Sequence, residues 1–314
     1  MTPGGLVLLF PGQGAQQPGM GASLVAGGRE VELLEVAERG GLALSRLLVE
    51  GTASELRPTE VAQPALYYVG VALGRLVVGQ GLAPDFSAGH SLGEYTALAV
   101  AGALEPADGM RLVMARGRLM AEAPEGTMAA VMGLEREPLD AICEAIAAQG
   151  EICVVANDNS PGQLVISGSR AGVEDASSAA RAAGARRVVP LSVGGAFHSP
   201  LMEAAGAAFA EVLADVDIRD PRWPVASGCS GTLARTAAEV REALRLQLSS
   251  PVLWTQTVRA LVQAGATRFL ECGPGNTLGS LVRRIAPQAV VAATATADGV
   301  EAAVAVVAAD GPAG

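Results

Sequence analysis

Apolar positions along this chain follow two rhythms, short unbroken runs and longer stretches at helical spacing. Leu6 to Phe10 is an unbroken run ended by Pro-Gly, which predicts a buried strand feeding a loop. Phe86 to Gly89 is a second short run that leads into Ser91 and then into Glu94 to Ala103, whose Ala and Leu content suits a buried helix. The succession is strand, sharp turn, helix. Helical spacing also covers Gln63 to Val78 and Pro106 to Ala123, the latter through Met110, Val113, Met114 and Met120. Helix and strand alternate, which predicts an α/β layer fold with a parallel sheet flanked by helices.

The rhythm changes between Thr127 and Ser192. Met128 to Met132 reads as a strand, Pro138 to Ala148 as a helix, and Ile152 to Ala156 and Leu164 to Ser167 as a hairpin around Asn159-Ser160-Pro161-Gly162. Val173 to Ala183 then reads as a helix and Arg187 to Leu191 as a strand. The order βαββαβ is that of the ferredoxin-like split motif. The expected organisation is therefore a hydrolase-like main α/β domain from residues 1–126 and 193–314, with residues 127–192 as an inserted ferredoxin-like small subdomain. The alternative is that these elements extend the main sheet. Beyond them, Val252 to Ala264 reads as helical and Phe269 to Cys272 as a strand ending in Gly273-Pro274-Gly275.

Composition narrows the function classes. Apolar residues make up 50% of the 314 and aromatics only 3%, so the core is expected to be Ala, Val and Leu. No lysine occurs, and all 22 basic residues are arginine. A net charge of -10 with no basic run argues against nucleic acid as a partner. The opening MTPGGLVLLFPGQG has no basic stretch, and its apolar run is too short for a signal or a span. A cytoplasmic protein without membrane contact is the expectation. Cys143, Cys153, Cys229 and Cys272 are scattered, with no CxxC pair or nearby histidine cluster, so neither a disulfide nor a metal is expected.

Gly89-His90-Ser91-Leu92-Gly93 matches G-x-S-x-G, in which glycines flank a serine because the strand-to-helix turn is too tight for side chains beside it. The turn lifts the hydroxyl clear of the sheet and aims the first amides of the next helix, Leu92 among them, at an oxyanion formed there. An ordinary glycine-rich turn shares the pattern. A serine nucleophile needs a base, and the chain holds only two histidines. His90 is next to Ser91 and is expected to point away and pack behind the turn. His198 is the remaining base, set among Gly194, Gly195, Ala196 and Ser199-Pro200, small residues that leave room for a substrate.

FPGQGAQ, GHSLGEYTAL, MARGRLM, NDNSPGQ, GAFHSPLM, QLSSPVLWT and CGPGNTL together resemble, in order from residue 10 to residue 278, the successive motifs of malonyl-CoA:acyl carrier protein transacylases. The resemblance implies a ping-pong acyltransferase. Malonyl-CoA, the donor, acylates Ser91 with His198 as base, and His198 then activates the phosphopantetheine thiol of an acyl carrier protein, supplying fatty acid or polyketide synthesis. In that family a main-chain carbonyl orients the imidazole, here at Gln247, and the oxyanion hole is built from the amides of Gln13 and Leu92. Gly12 and Gly14 let that backbone come close.

Arg116 matches the family arginine that grips the malonyl carboxylate through two parallel hydrogen bonds, with Arg111 and Arg118 left to the surface. Met120, in the same block, and Phe197 complete the expected substrate-binding set. Phe before the histidine and Leu92 after the serine both resemble acyltransferases that choose malonyl over methylmalonyl. Gly228 departs from the pattern, since many relatives have asparagine there, and the departure is expected to touch a local contact at the cleft edge. No bound cofactor and a monomeric state are expected. A serine hydrolase or thioesterase, a malonate decarboxylase's transacylase subunit and a silent carrier-binding module are the competing readings. The first lacks an arginine for the acyl group, the second differs only in donor and carrier, and the third does not call for serine, histidine and arginine together.

Overall fold

In the computed structural model, which describes residues 4–309, ten strands form two separate sheets. The strands are β1 (Gly5–Phe10), β2 (Phe86–Gly89), β3 (Thr127–Met132), β4 (Cys153–Ser160), β5 (Gln163–Gly168), β6 (Arg187–Pro190), β7 (Val225–Ala226), β8 (Leu233–Ala234), β9 (Ala266–Cys272) and β10 (Val290–Thr294). The larger sheet has the order β10-β9-β1-β2-β7-β8, parallel from β10 to β7, with β8 antiparallel at its edge. β1 lies inside it and is covered on both faces. Leu6, Leu8 and Phe10 enter one core and Val7 and Leu9 the other, which is why the strand reads as an unbroken apolar run.

Helices lie on both faces of this sheet. The helix Thr59–Gly79 carries the apolarity and length of a membrane span, yet it is a core helix of this fold, with Tyr67, Tyr68 and Leu73 fully buried. Its Gly70 and Gly74 admit Thr96 of the helix Gly93–Val100 and Phe10 of β1, where a Cβ would collide.

The smaller sheet is antiparallel in the order β4-β5-β3-β6, and with the helices Arg136–Ala147 and Arg170–Ala182 its elements follow the order βαββαβ. It has its own core, built around Val131, Leu139, Val155, Ile166 and Val173. The smaller sheet is joined to the main domain at Val252, whose N–H donates to Ala156 O (2.8 Å) and whose carbonyl accepts from Asp158 N (2.9 Å). That extended pairing delays the helix expected from Val252, which starts at Trp254. The hairpin also differs from expectation, because β4 runs through Ser160 and leaves only Pro161-Gly162 to turn, Gly162 at φ 69°.

The four thiols are free. Cys143 and Cys153, distant from any pair signature in sequence, come within 3.7 Å of each other between helix Arg136–Ala147 and β4. Among the described residues no group of three or more His, Cys, Asp and Glu could hold a metal ion.

Candidate active site

The carboxyl ends of parallel strands are where an open α/β sheet exposes loop amides and helix starts, and the candidate residues meet there. Ser91 follows β2 at φ 51°, a left-handed conformation that an L-residue adopts only under constraint. The constraint comes from its neighbours. A Cβ on Gly89 would overlap the Gly93 backbone, and one on Gly93 would overlap the Phe10 carbonyl. His198 is held in the same region at φ 59°, so two of the three non-glycine residues with positive φ among the described residues face each other across the site.

Ser91 Oγ lies 2.8 Å from His198 Nε2. His198 Nδ1 is 3.1 Å from the carbonyl of Gln247 and 3.0 Å from that of Ser250, a second acceptor that sequence reasoning missed. Both carbonyls demand a proton on Nδ1, which leaves Nε2 as the lone-pair nitrogen facing the serine. Burial, then the charge of Arg116, pull the His198 pKa down to about 3, against the opposing effect of the two carbonyls. The imidazole is therefore neutral at physiological pH.

Arg116 is 1% exposed. Its Nη2 donates to Ser91 Oγ (3.0 Å) and to Gln247 Oε1 (3.0 Å), and its Nη1 donates to Gln63 Oε1 (2.8 Å). Nε has no partner, and the guanidinium carbon lies 5.4 Å from the centre of the Tyr95 ring. Arg111 and Arg118 are exposed. Gln63 continues a chain of contacts, its Nε2 donating to Thr59 Oγ1 (2.9 Å), which donates to the Gln13 side chain (2.7 Å). Neither Gln63 nor Thr59 carried a signal in the sequence, because each looks like a polar residue on an ordinary helix.

Gln13 and Leu92 both line the cleft. Their N–H groups donate to no acceptor among the described residues, so both are free for an oxyanion. Gly12 is required by proximity, since a Cβ there would strike the His90 carbonyl. The cleft holds about 460 Å³ and is closed on its other side by Met128, Asn157, Val165 and Leu191 around the smaller sheet. Met120 and Phe197, 3% and 6% exposed, stand between this cleft and a second cavity of about 400 Å³.

Two expectations need correction. His90 does not merely pack behind the turn: its Nε2 lies 2.8 Å from Asn159 Oδ1 on β4, and its ring tilts against Trp254 at 5.5 Å, joining the two sheets across the cleft. Bulges in β4 at Val155/Asn157 and at Asp158/Ser160 accompany the turning of Asn157 and Asn159 into the cleft. Gly228 is not at the cleft edge but buried, its N–H donating to Glu94 Oε2 (3.2 Å). Arg186 and Arg187 do not border the cleft. Arg187 faces Met132 at one end of β6, whereas the end that reaches the cleft is Pro190, opposite Ala129 and followed by Leu191.

The chain is similar to known proteins over most of its length. A family model described as "Acyl transferase domain" matches residues 7–306. A malonyl CoA-acyl carrier protein transacylase of Bacillus subtilis is 42% identical over 285 residues, 89% of this chain and 90% of that protein. Its Escherichia coli counterpart is 42% identical over 283 residues, 88% of this chain and 91% of that protein. Among solved structures, a malonyl-CoA:acyl carrier protein transacylase of Xanthomonas oryzae superposes with a TM-score of 0.90 at 40% identity, covering 97% of this chain and 99% of that one. A malonyl-transacylase seen in complex with a type II PKS acyl-carrier protein gives 0.91 at 38% identity, covering 96% of this chain and 99% of that one. By sequence and by fold, the chain belongs to the acyl transferase domain family.

Proposed function

We propose that this acyltransferase moves a malonyl group from malonyl-CoA to the phosphopantetheine thiol of an acyl carrier protein through a malonyl-Ser91 ester, supplying fatty acid or polyketide synthesis. One observation carries the reading: a buried guanidinium nitrogen lies 3.0 Å from the nucleophilic oxygen. A malonyl group has one methylene between its reacting carbonyl and its carboxylate, so a cation that selects it must sit beside the nucleophile. Arg116 does. The relatives named for malonyl transfer and the carrier complex support the same donor and acceptor.

In the first half-reaction His198 Nε2 takes the proton of Ser91 Oγ as the oxygen attacks the thioester carbon. The oxyanion is received by the Gln13 and Leu92 amides, and the coenzyme A thiolate leaves with the proton from His198. In the second, the carrier thiol gives its proton to His198 and attacks the ester, and Ser91 leaves with that proton restored. Gln247 and Ser250 orient the imidazole through their carbonyls, as the carboxylate does in a serine triad. Met120 and Phe197 bound the acyl space. All of this uses side chains and backbone, and the reading includes no bound cofactor.

The small sheet's strand order supports a ferredoxin-like subdomain set into a hydrolase-like main domain, and the reading extends to a monomer working in the cytoplasm. A brief incubation with malonyl-CoA should place one malonyl group on the Ser91 peptide by mass spectrometry, and a carrier chase should remove it. Ser91→Ala should take no label and show no transfer. Label elsewhere, or transfer surviving that substitution, would falsify the covalent route.

A further inference from the structure

Glu94, in the first turn of the helix after Ser91, is 2% exposed and takes no part in the steps above. It forms no salt bridge among the described residues. Its Oε2 accepts from Gln247 Nε2 (2.7 Å) and from Gly228 N (3.2 Å). The same Gln247 amide donates to the Ser91 carbonyl (3.2 Å), and its Oε1 accepts from Arg116 (3.0 Å). A carboxylate can only accept and a guanidinium can only donate, so the two charges fix which way the amide faces.

Arg116 is a buried cation whose hydrogen-bond partners are all neutral: Gln63, Ser91 and Gln247. An uncompensated buried charge is costly, and Glu94 is the carboxylate that reaches it, at a remove of one amide. The remove is the useful part. A carboxylate paired directly with Arg116 would occupy its fork and repel an incoming anion, whereas compensation relayed through Gln247 leaves the buried Nε unpartnered and the charge available. Hydrogen bonds in such a chain polarise one another, so the amide oxygen presented to Arg116 is a better acceptor because Glu94 pulls on its N–H.

We infer that Glu94 is a positioning residue for substrate choice, holding and charge-compensating the Arg116 guanidinium through the Gln247 amide while leaving it open to a carboxylate. The inference rests on the malonyl reading of the site. Burial raises the Glu94 pKa, and the bonds from Gln247, Gly228 and Ser227 and the charge of Arg116 work against that rise.

The test measures acylation of Ser91 by malonyl-CoA and by acetyl-CoA in the wild type, Arg116→Ala, Glu94→Ala and Glu94→Gln. Glu94→Ala, which frees the Gln247 amide, is expected to shrink the malonyl-over-acetyl preference by about tenfold, the weight of a charge-assisted hydrogen bond. Glu94→Gln keeps an oxygen acceptor but no charge, so it should retain the preference within about threefold. Its Tm should fall, and free malonate should raise that Tm by more than it raises the wild type's. If Glu94→Ala does not fold, the malonate response of Glu94→Gln decides. Equal losses with both donors in Glu94→Ala, or a Glu94→Gln protein no more responsive to malonate than the wild type, would overturn the inference. A preference that is absent in the wild type, or that survives Arg116→Ala, would instead overturn the malonyl reading beneath it.

Discussion

The two walls of the cleft are built on opposite principles. On the side of the larger sheet polar side chains are tied in a chain: Gln13 to Thr59, Thr59 to Gln63, Gln63 to Arg116, Arg116 to Ser91 and Gln247, and Gln247 to Glu94. On the side of the smaller sheet the wall is Met128, Val165, Leu191 and Val193, with Asn157, Asn159 and Ser192 as its polar members. Removing one member of the first wall strands a buried polar partner, which costs far more than losing a contact with water at hand. Removing a member of the second changes shape. Chemistry and acyl choice should therefore respond steeply to the first wall and shallowly to the second.

The largest separation is expected at Arg116. Arg116→Ala should lower malonyl transfer by on the order of 2 to 4 kcal/mol in transition-state binding while leaving or raising acetyl transfer, because an uncharged acyl group does not use the contact. Steady-state kcat/KM with both donors measures it. Equal losses would give Arg116 a structural role and dissolve the contrast between the walls.

A second prediction concerns the base. With its pKa held near 3, His198 stays neutral wherever the fold persists, so acylation measured with malonyl-pantetheine, a donor without phosphate, should show no ionisation near pH 6.5. Stability should depend on pH instead. The folded-state pKa lies below the unfolded value of about 6.5, so this contribution is fully present above pH 6.5 and is lost as pH falls toward 3. His90, also lowered chiefly by burial, adds in the same sense. A rate limb near 6.5 without loss of Tm would show His198 to be more solvated than its surroundings indicate.

The same contrast explains what could be read in advance. The nucleophile's wall announced itself locally: β1 as an apolar run, the elbow as two glycines around a serine, and His198 as the one histidine free to reach it. Arg116 needed the family pattern, since nothing in MARGRLM separates it from the exposed Arg111 and Arg118. Glu94 and Gln63 gave no signal because their partners are far along the chain, Gln247 lying 153 residues from Glu94 and Arg116 53 from Gln63. Both are polar residues in helices that otherwise read as core. Main-chain acceptors such as Ser250 leave no side-chain signature at all. Strands β7 and β8, two residues each, are too short to show alternation, and tertiary pairing alone defines them. The helix Val31–Arg39, set between Gly27-Gly28 and Gly40-Gly41, is legible only from its packing, where Leu33, Leu34, Val36 and Ala37 bury one face.

A smaller effect is expected where the walls touch. Asn159→Ala removes the acceptor of the His90 ring and leaves that buried nitrogen unpaired, which should cost about 1 to 3 kcal/mol of stability. Malonyl transfer should fall less than tenfold, with the malonyl-to-acetyl ratio unchanged, because no group on Arg116 is disturbed. Thermal denaturation and paired kcat/KM values read both. A changed ratio would mean that the smaller sheet also selects the acyl group.

The smallest effect belongs to the surface. A chain of net charge -10 must receive coenzyme A phosphates and, on the proposed reading, an acidic carrier, and uniform repulsion would slow both encounters. Arginine pairs stand at Arg186-Arg187 and Arg283-Arg284, and neither lines the cleft. Arg187 is three residues, about 10 Å of strand, from the cleft end of β6, while Arg284 donates to the Gln163 side chain (2.7 Å) at the start of β5. Arg57 is the exposed arginine that does line the cleft, and it also borders the cavity beyond Met120 and Phe197. Exposed charges act mainly on association rate and are screened within about 10 Å at 0.1 M salt. Reversing both pairs to Glu should therefore raise the apparent KM for carrier only a few-fold at low salt, with the difference fading as salt is added and Ser91 acylation at saturating malonyl-CoA near normal. Arg57→Glu should raise the KM for malonyl-CoA more than the pair reversals do, because its charge lies on the path to Ser91. An unchanged carrier KM at low ionic strength would place the docking surface away from both pairs, and a pair reversal that slowed acylation itself would tie the smaller sheet's rim to the chemistry of the other wall.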